Sequence, residues 1–271
     1  MPSNNGPTQG APDTIVLVHG LWITPRAWEK WVPRYESRGF RVLAPAYPGF
    51  EVEVEALRED PSPIEKQTID GIADHYEAII RGLDEPPVIM GHSFGGLFTQ
   101  LLLDRGLGRA GVAMSPAQPK GILRLPLSTL KSASPALAHP SKRHGVVPLT
   151  LEEFTYAFVN TLSPEDAKAA YETYCVPETG QIFYEAGFAN FQLHPPTKID
   201  WDNPNRAPLL IVGAEKDHTI TASLSHDEFK KQSKSPSPTA YLEFEGRPHM
   251  MMAVEGWEEI ASGIDDWLTK L

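Results

Sequence analysis

The run from Pro86 to Gly96, Pro-Pro-Val-Ile-Met-Gly-His-Ser-Phe-Gly-Gly, sets Ser93 among glycines directly after a short apolar stretch, and few backbones accommodate it. A strand that turns sharply into a helix forces its central residue into a strained conformation. Its neighbours must then be small for the turn to close and for the helix to approach. Gly91, Gly95 and Gly96 meet that need. The same turn aims the first amides of the new helix at residue 93, where their partial positive charge stabilises an anion. The run therefore predicts a nucleophile elbow with Ser93 as candidate nucleophile. A G-x-S-x-G match alone is weak, so context decides. An apolar strand precedes it, and helical apolar spacing follows in Leu97, Phe98, Leu101 and Leu102, closed by Gly106. The alternative reading is a glycine-rich turn without chemistry.

The rest of the chain repeats that strand-then-helix rhythm. Strands are expected at Thr14–Val18, Arg41–Ala44, Val88–Met90, Arg109–Met114, Pro208–Val212 and Thr239–Phe244, mostly unbroken apolar runs of the kind buried on both faces of a sheet. Helix starts are legible between them. Thr24-Pro25 offers a cap and a first-turn proline, and Ser62-Pro63-Ile64-Glu65 reads as a capping box. The helix expected after Ser62 carries Ile69, Ile72, Tyr76, Ile79, Ile80 and Leu83 on one face. This alternation predicts an α/β fold with a mostly parallel, doubly wound sheet of about six strands.

Between Met114 and Pro208 the rhythm stops, and no strand is expected there. The stretch opens with a Ser, Pro, Lys and His segment from Gln118 to Pro148 and continues with helix starts at Thr150-Leu151-Glu152-Glu153 and Ser163-Pro164-Glu165-Asp166. It reads as an inserted helical lid over residues 118–204. The core then comprises 13–117 and 205–271, with 1–12 as a loose tail. Nine of the 25 aromatic residues fall between Phe154 and Phe191, enough either to line a pocket or to form the lid's own small core.

Composition narrows the partners. A net charge of -11 argues against nucleic acid and anionic membrane, both polyanions. One cysteine, Cys175, makes no internal disulfide, and no N-x-S/T site occurs, so a reducing, cytoplasmic location is expected. Met1 to Pro12 do not read as a signal peptide, and no apolar run approaches the ~20 residues that span a bilayer. No cluster of His, Cys and carboxylates has metal-ligand spacing, and no cofactor is expected. Oligomeric state is not encoded in any motif.

A serine hydroxyl is a weak nucleophile and needs a base, and the base needs a group to orient it, both on loops at the carboxyl edge of the sheet. After the strand at Leu209 comes Gly213-Ala214-Glu215-Lys216-Asp217, and after the strand at Tyr241 comes Glu245-Gly246-Arg247-Pro248-His249. Asp217 is the candidate orienter and His249 the candidate base, with Glu215 and His218 as rivals. His92, His139, His144, His194 and His226 are read as structural or exposed, and Cys175 as lid packing. Oxyanion donors are expected from His19-Gly20-Leu21-Trp22, directly after the first strand. The amides of Leu21 and Phe94 form the pair, with Trp22 the fallback for Leu21. Leu21, Trp22 and Phe94 can also wall a substrate pocket; alternatively Trp22 anchors the loop.

Together, Val18-His19-Gly20, Gly91-His92-Ser93-Phe94-Gly95-Gly96, Gly213 with Asp217, and Pro248-His249 resemble the α/β-hydrolase superfamily, and the resemblance runs from Thr14 to Leu268. It departs in two places. There is little room before Thr14 for two leading strands, and Pro248 stands where a glycine often precedes the histidine. Members resembling haloalkane dehalogenases or epoxide hydrolases carry a carboxylate at the elbow, whereas this chain has Ser93. The resemblance thus implies acyl chemistry, foremost hydrolysis of a small or medium, apolar carboxylic ester through an acyl-enzyme. Lactonase, amidase, thioesterase and acyltransferase activities use the same triad, and a small-molecule receptor or a lid-mediated interaction protein are the readings from other classes.

Overall fold

The computed structural model describes residues 13–137 and 140–271; the expected tail over 1–12 and the assignment of His139 lie outside them. Six parallel strands form the central sheet: β1 (Thr14–Val18), β2 (Arg41–Leu43), β3 (Val88–His92), β4 (Ala110–Met114), and, after a two-stranded ribbon of β5 (Val146–Val147) and β6 (Glu178–Thr179), β7 (Leu209–Ala214) and β8 (Thr239–Phe244). Their order is β2-β1-β3-β4-β7-β8, and every neighbouring pair is parallel. All residues of β3, β4 and β7 are buried, as unbroken apolar strands covered on both faces must be. The outer strands β2 and β8 are only half-buried.

From β1 the chain moves outward to β2 and then crosses to β3 on the other side. Strand order reverses between β1 and β3, and the loops leaving their carboxyl ends flank a crevice there. The loop after β1 is His19–Trp22, and the turn after β3 holds Ser93.

Ten helices occur among the described residues: α1 (Trp31–Glu36), α2 (Val54–Glu59), α3 (Ile69–Arg81), α4 (Phe94–Asp104), α5 (Leu127–Leu137), α6 (Leu151–Phe158), α7 (Pro164–Tyr174), α8 (Gly180–Gly187), α9 (Ala222–Gln232) and α10 (Trp257–Leu268). α3 lays Ile69, Ile72, Ala73, Tyr76 and Ile80 into the core, the expected face. Its start differs from the expectation. Ser62–Ile64 form a separate 3-10 turn, in which Asp60 accepts the Ser62 amide at 3.0 Å, so Ser62 caps nothing. Thr68 is the cap instead, its Oγ1 accepting the Gly71 amide at 3.0 Å. An Asp-Pro-Ser turn consumes the local signals before the helix can use them.

The segment between β4 and β7 carries α5–α8. Its helices start where expected: Thr150 and Glu153 form a reciprocal capping box, and Ser163 accepts the Asp166 amide. The expectation of no strand is corrected by the β5–β6 ribbon, two antiparallel pairs too short to leave a periodic signal. Phe154 and Phe158 stack at 4.9 Å with Tyr171 against Phe154, and this cluster is continuous with the sheet's core.

The reassigned cap is directly testable. Thr68→Ala is expected to lower stability by about 1 kcal/mol in urea unfolding, whereas Ser62→Ala should stay within ~0.5 kcal/mol of wild type. Equal losses would return the helix start to Ser62.

Candidate active site

Ser93 takes φ 57 and ψ -120, outside the regions open to ordinary residues. Such a backbone costs ~1–3 kcal/mol and persists only where its surroundings determine it. They do so here from both sides. Its amide donates to the Met114 carbonyl at 2.9 Å, and its carbonyl accepts the amides of Gly96 and Ala117, each at 2.9 Å. A Cβ on Gly91 would run into the Gly95 carbonyl, one on Gly95 would overlap the Val18 carbonyl, and one on Gly96 would stand 2.8 Å from Pro116 Cβ. The three glycines are thus required by close approach.

His249 and Asp217 leave neighbouring strands and meet. Nδ1–H of His249 donates to Asp217 Oδ2 at 2.7 Å, with both side chains fully buried. The other carboxylate oxygen, Oδ1, accepts the amides of Thr219 at 2.7 Å and Ile220 at 2.8 Å, which fixes the plane of the group. His249 Nε2 is buried and has no hydrogen-bond partner among the described residues, so one ring nitrogen is oriented and the other is free.

The rivals lie elsewhere. Glu215 is exposed and spends Oε2 on the Gly246 amide at 2.8 Å, stitching the β7 and β8 loops together. His218 donates Nδ1–H to the Tyr156 carbonyl at 3.1 Å and accepts from Asn160 through Nε2, facing α6. Burial pushes the Cys175 thiol up to about 12, which leaves it unreactive at the end of α7.

Near the Ser93 turn, a Cβ on Gly20 would stand 3.0 Å from Ser93 Cβ, so the loop after β1 passes directly over the candidate nucleophile. Among the described residues no acceptor takes the amide of Leu21 or of Phe94, the first residue of α4. The Trp22 amide is occupied: it donates to Glu178 Oε2 at 3.3 Å, which corrects its place as a fallback donor. The Trp22 indole donates Nε1–H to the Val147 carbonyl at 2.8 Å, and its ring packs, tilted, 4.3 Å from that of Phe183. It thus joins the loop to the segment between β4 and β7.

Sequence reasoning missed several contributors. His92 reaches back from the elbow, donating Nε2–H to the His249 carbonyl at 2.8 Å with the two rings 4.6 Å apart. Burial holds the His92 imidazole well below its ordinary range, and it stays neutral. Burial likewise lowers His19 to about 4; its Nδ1–H donates to the Gly20 carbonyl, and Nε2 accepts the Tyr47 amide. Phe158 sets its ring 5.2 Å from His249, and Phe183 lies 5.9 Å from Phe94, so aromatic side chains close the site from above. Ser93 is only 6% exposed. A cleft of about 740 Å³ is lined by Lys131, Tyr156, Asn160 and His218, among other residues, and does not reach Ser93. Among the described residues no group of three or more His, Cys, Asp or Glu is placed to hold a metal, and no helix is long and apolar enough to cross a membrane.

A family model described as "Alpha/beta hydrolase family" matches residues 15–262. No curated protein matches the chain by sequence. Among solved structures, a monoacylglycerol lipase from Paleococcus ferrophilus superposes with a TM-score of 0.66 at 21% identity, covering 96% of both chains. A methylesterase from Arabidopsis gives 0.66 at 14% identity, covering 96% of this chain and all (100%) of that one. A pyrethroid hydrolase from Sphingobium faniae gives 0.65 at 17% identity over 94% and 96%. At these identities the likeness is one of fold.

The elbow sterics give a stability test. Gly95→Ala is expected to cost on the order of 3 kcal/mol or more, because strand β1 and helix α4 must separate. Gly145→Ala, where an added Cβ meets nothing within 4 Å, should stay within ~0.5 kcal/mol of wild type in the same unfolding measurement.

Proposed function

The chain belongs to the alpha/beta hydrolase family, and from that premise we propose that it is a serine carboxylic-ester hydrolase acting through an acyl-enzyme. One observation carries the reading: a buried Asp217–His249 hydrogen bond of 2.7 Å whose far ring nitrogen is free, on an imidazole 4.6 Å from the ring of His92, the residue that precedes the serine of a strained elbow. Ser93 Oγ attacks the ester carbonyl while His249 Nε2 takes its proton. Asp217 holds the imidazole in the Nδ1–H tautomer and stabilises the imidazolium that forms. The amides of Leu21 and Phe94 receive the oxyanion, the second backed by the positive end of α4. His249 then returns the proton to the departing alkoxide, and water, activated by the same nitrogen, releases the acid.

Residues 118–204 act in this reading as a lid on the core of 13–117 and 205–271. Phe158, Phe183, Trp22 and Phe94 form the wall above Ser93, which favours an apolar ester of small or medium size. Substrate entry requires the aromatic wall to part, since Ser93 is nearly enclosed. The lipase, methylesterase and pyrethroid hydrolase that share the fold agree with ester chemistry. Every step is assigned to this chain's own groups and to water. A cytoplasmic location goes with a single thiol that is buried and unpaired.

The proposal is tested on p-nitrophenyl esters from acetyl to longer acyl chains. Ser93→Ala is expected to lower kcat by ~10⁴–10⁶-fold, and Asp217→Asn by ~10⁴-fold through the wrong tautomer. Turnover by Ser93→Ala within tenfold of wild type would overturn the assignment. Chain-length preference measures the pocket, and product analysis separates hydrolysis from acyl transfer.

A further inference from the structure

Trp22 is an aromatic residue at φ 62, in the left-handed region that side chains rarely occupy. Nothing in the sheet accounts for this. Its amide donates to Glu178 Oε2 at 3.3 Å, its carbonyl accepts the Val176 amide at 2.9 Å, and its indole N–H donates to the Val147 carbonyl at 2.8 Å. All three partners lie on or beside the β5–β6 ribbon, far away in sequence. Strain of this kind survives where contacts from outside impose it, and such positions cluster at functional sites.

Glu178 is the unexpected member of that set. It is completely buried, forms no ion pair among the described residues, and accepts only two backbone amides, Trp22 at 3.3 Å and Thr179 at 2.8 Å. An apolar side chain would suit such burial better, but it could not hold the amide of the peptide linking Leu21 to Trp22. That peptide adjoins, through the Leu21 Cα, the Gly20–Leu21 peptide, which carries the Leu21 N–H and follows the Gly20 Cα that passes over Ser93.

We infer that Glu178 is a positioning residue for the oxyanion site: it fixes the Leu21–Trp22 peptide from the inserted segment, so that the Leu21 amide points at Ser93 only while that segment is docked. This deepens the esterase reading and rests on it. The segment that covers the site thereby also assembles it. Opening it would release the Trp22 strain and dissolve one oxyanion donor, and closing it would restore both.

The ionisation of Glu178 supplies a handle. Burial pushes its carboxyl up to about 8, partly opposed by the amides of Thr179 and Trp22. The groups facing it from the core offer no positive charge: His19 is kept neutral by burial, and Tyr47 and Tyr76 are raised well above their ordinary range. On the adjoining segments, Glu65, Lys142 and Glu185 are half-buried, Arg143 is exposed, and none pairs with Glu178. Above pH 8 an unpaired carboxylate therefore forms beside the loop that must stabilise an anion. The unfolded chain ionises near 4.5 and the folded one near 8, so the folded state loses stability progressively across that window and no further above it.

The test compares Glu178→Ala and Glu178→Gln with wild type on p-nitrophenyl acetate, with Ser93→Ala as control. Glu178→Ala is expected to lower kcat about tenfold or more with KM within ~twofold, because an oxyanion donor is misplaced while the pocket is kept. Glu178→Gln keeps an acceptor for Trp22; its kcat at pH 7 should stay within ~threefold of wild type, and it should lack the alkaline fall near pH 8 that is expected of wild type. Unchanged kcat in Glu178→Ala, a rise confined to KM, or an alkaline fall retained by Glu178→Gln each overturns the inference. Two readouts need no turnover. A crystal structure of Glu178→Ala should show Trp22 out of the left-handed region, and Glu178→Gln should gain thermal stability over wild type progressively from pH 4.5 to 8. If wild-type turnover does not depend on Ser93, the esterase reading fails, and an unmoved Trp22 in that crystal structure separately overturns the clamp.

Discussion

The approach of helix α4 to the ends of β1 and β3 sets the geometry on which the rest of the site depends. At Gly95 the helix backbone comes so near the Val18 carbonyl that no Cβ fits between them. That contact turns the chain at Ser93 into its strained conformation and brings the Gly20 loop over the serine. It also aims the free amide of Phe94, at the positive end of the helix, into the same space. A looser packing would separate the serine from both sets of donors at once. The strain at Ser93 is offset by hydrogen bonds with Met114, the last residue of β4, and with Ala117 just beyond it.

How much of this was legible in the sequence depended on the range of the signal. The six strands, the elbow glycines and the Ser93, Asp217, His249 set are marked by local composition: apolar runs, and chemistry-bearing residues just past them. Burial on both faces makes such strands uniformly apolar, so they stand out. The start of α3 misleads because Ser62 and Thr68 are both good caps, and the choice between them is made by Asp60, which captures the Ser62 amide. The β5–β6 ribbon has two residues per strand and no period to detect.

The contacts between distant segments were invisible for a different reason. Glu178 in Val-Pro-Glu-Thr looks like any loop acid, and only folding reveals that it meets Trp22, 156 positions earlier. Trp22 itself suggested a pocket wall or an anchor, and no rule of spacing tells that its amide is taken while its neighbour's is not. His92 was assigned to the turn that holds it, yet its ring serves His249, which arrives from the far end of the chain. Side chains that position other side chains have no motif, because the requirement is a hydrogen bond at one place in space.

Three buried histidines crowd this end of the sheet, and burial keeps His19 and His92 neutral. Their partners divide the work. His19 uses both nitrogens on backbone groups, which leaves it neither lone pair nor proton to exchange. His92 uses Nε2 on the His249 carbonyl, and its Nδ1 faces Gly20, at 3.3 Å from where a Cβ would stand there. Only His249 has a carboxylate on one nitrogen, and that carboxylate is itself held by two amides. A positive charge arising on the ring is compensated there and nowhere else in the group. The aromatic covering that excludes water strengthens this preference, since an imidazolium in a dry site gains more from a nearby carboxylate than one in water. The same covering makes the neutral pair of histidines inert supports. The proposal of His249 as base therefore rests on what each ring touches: of the three, it alone sets a buried ring against a carboxylate.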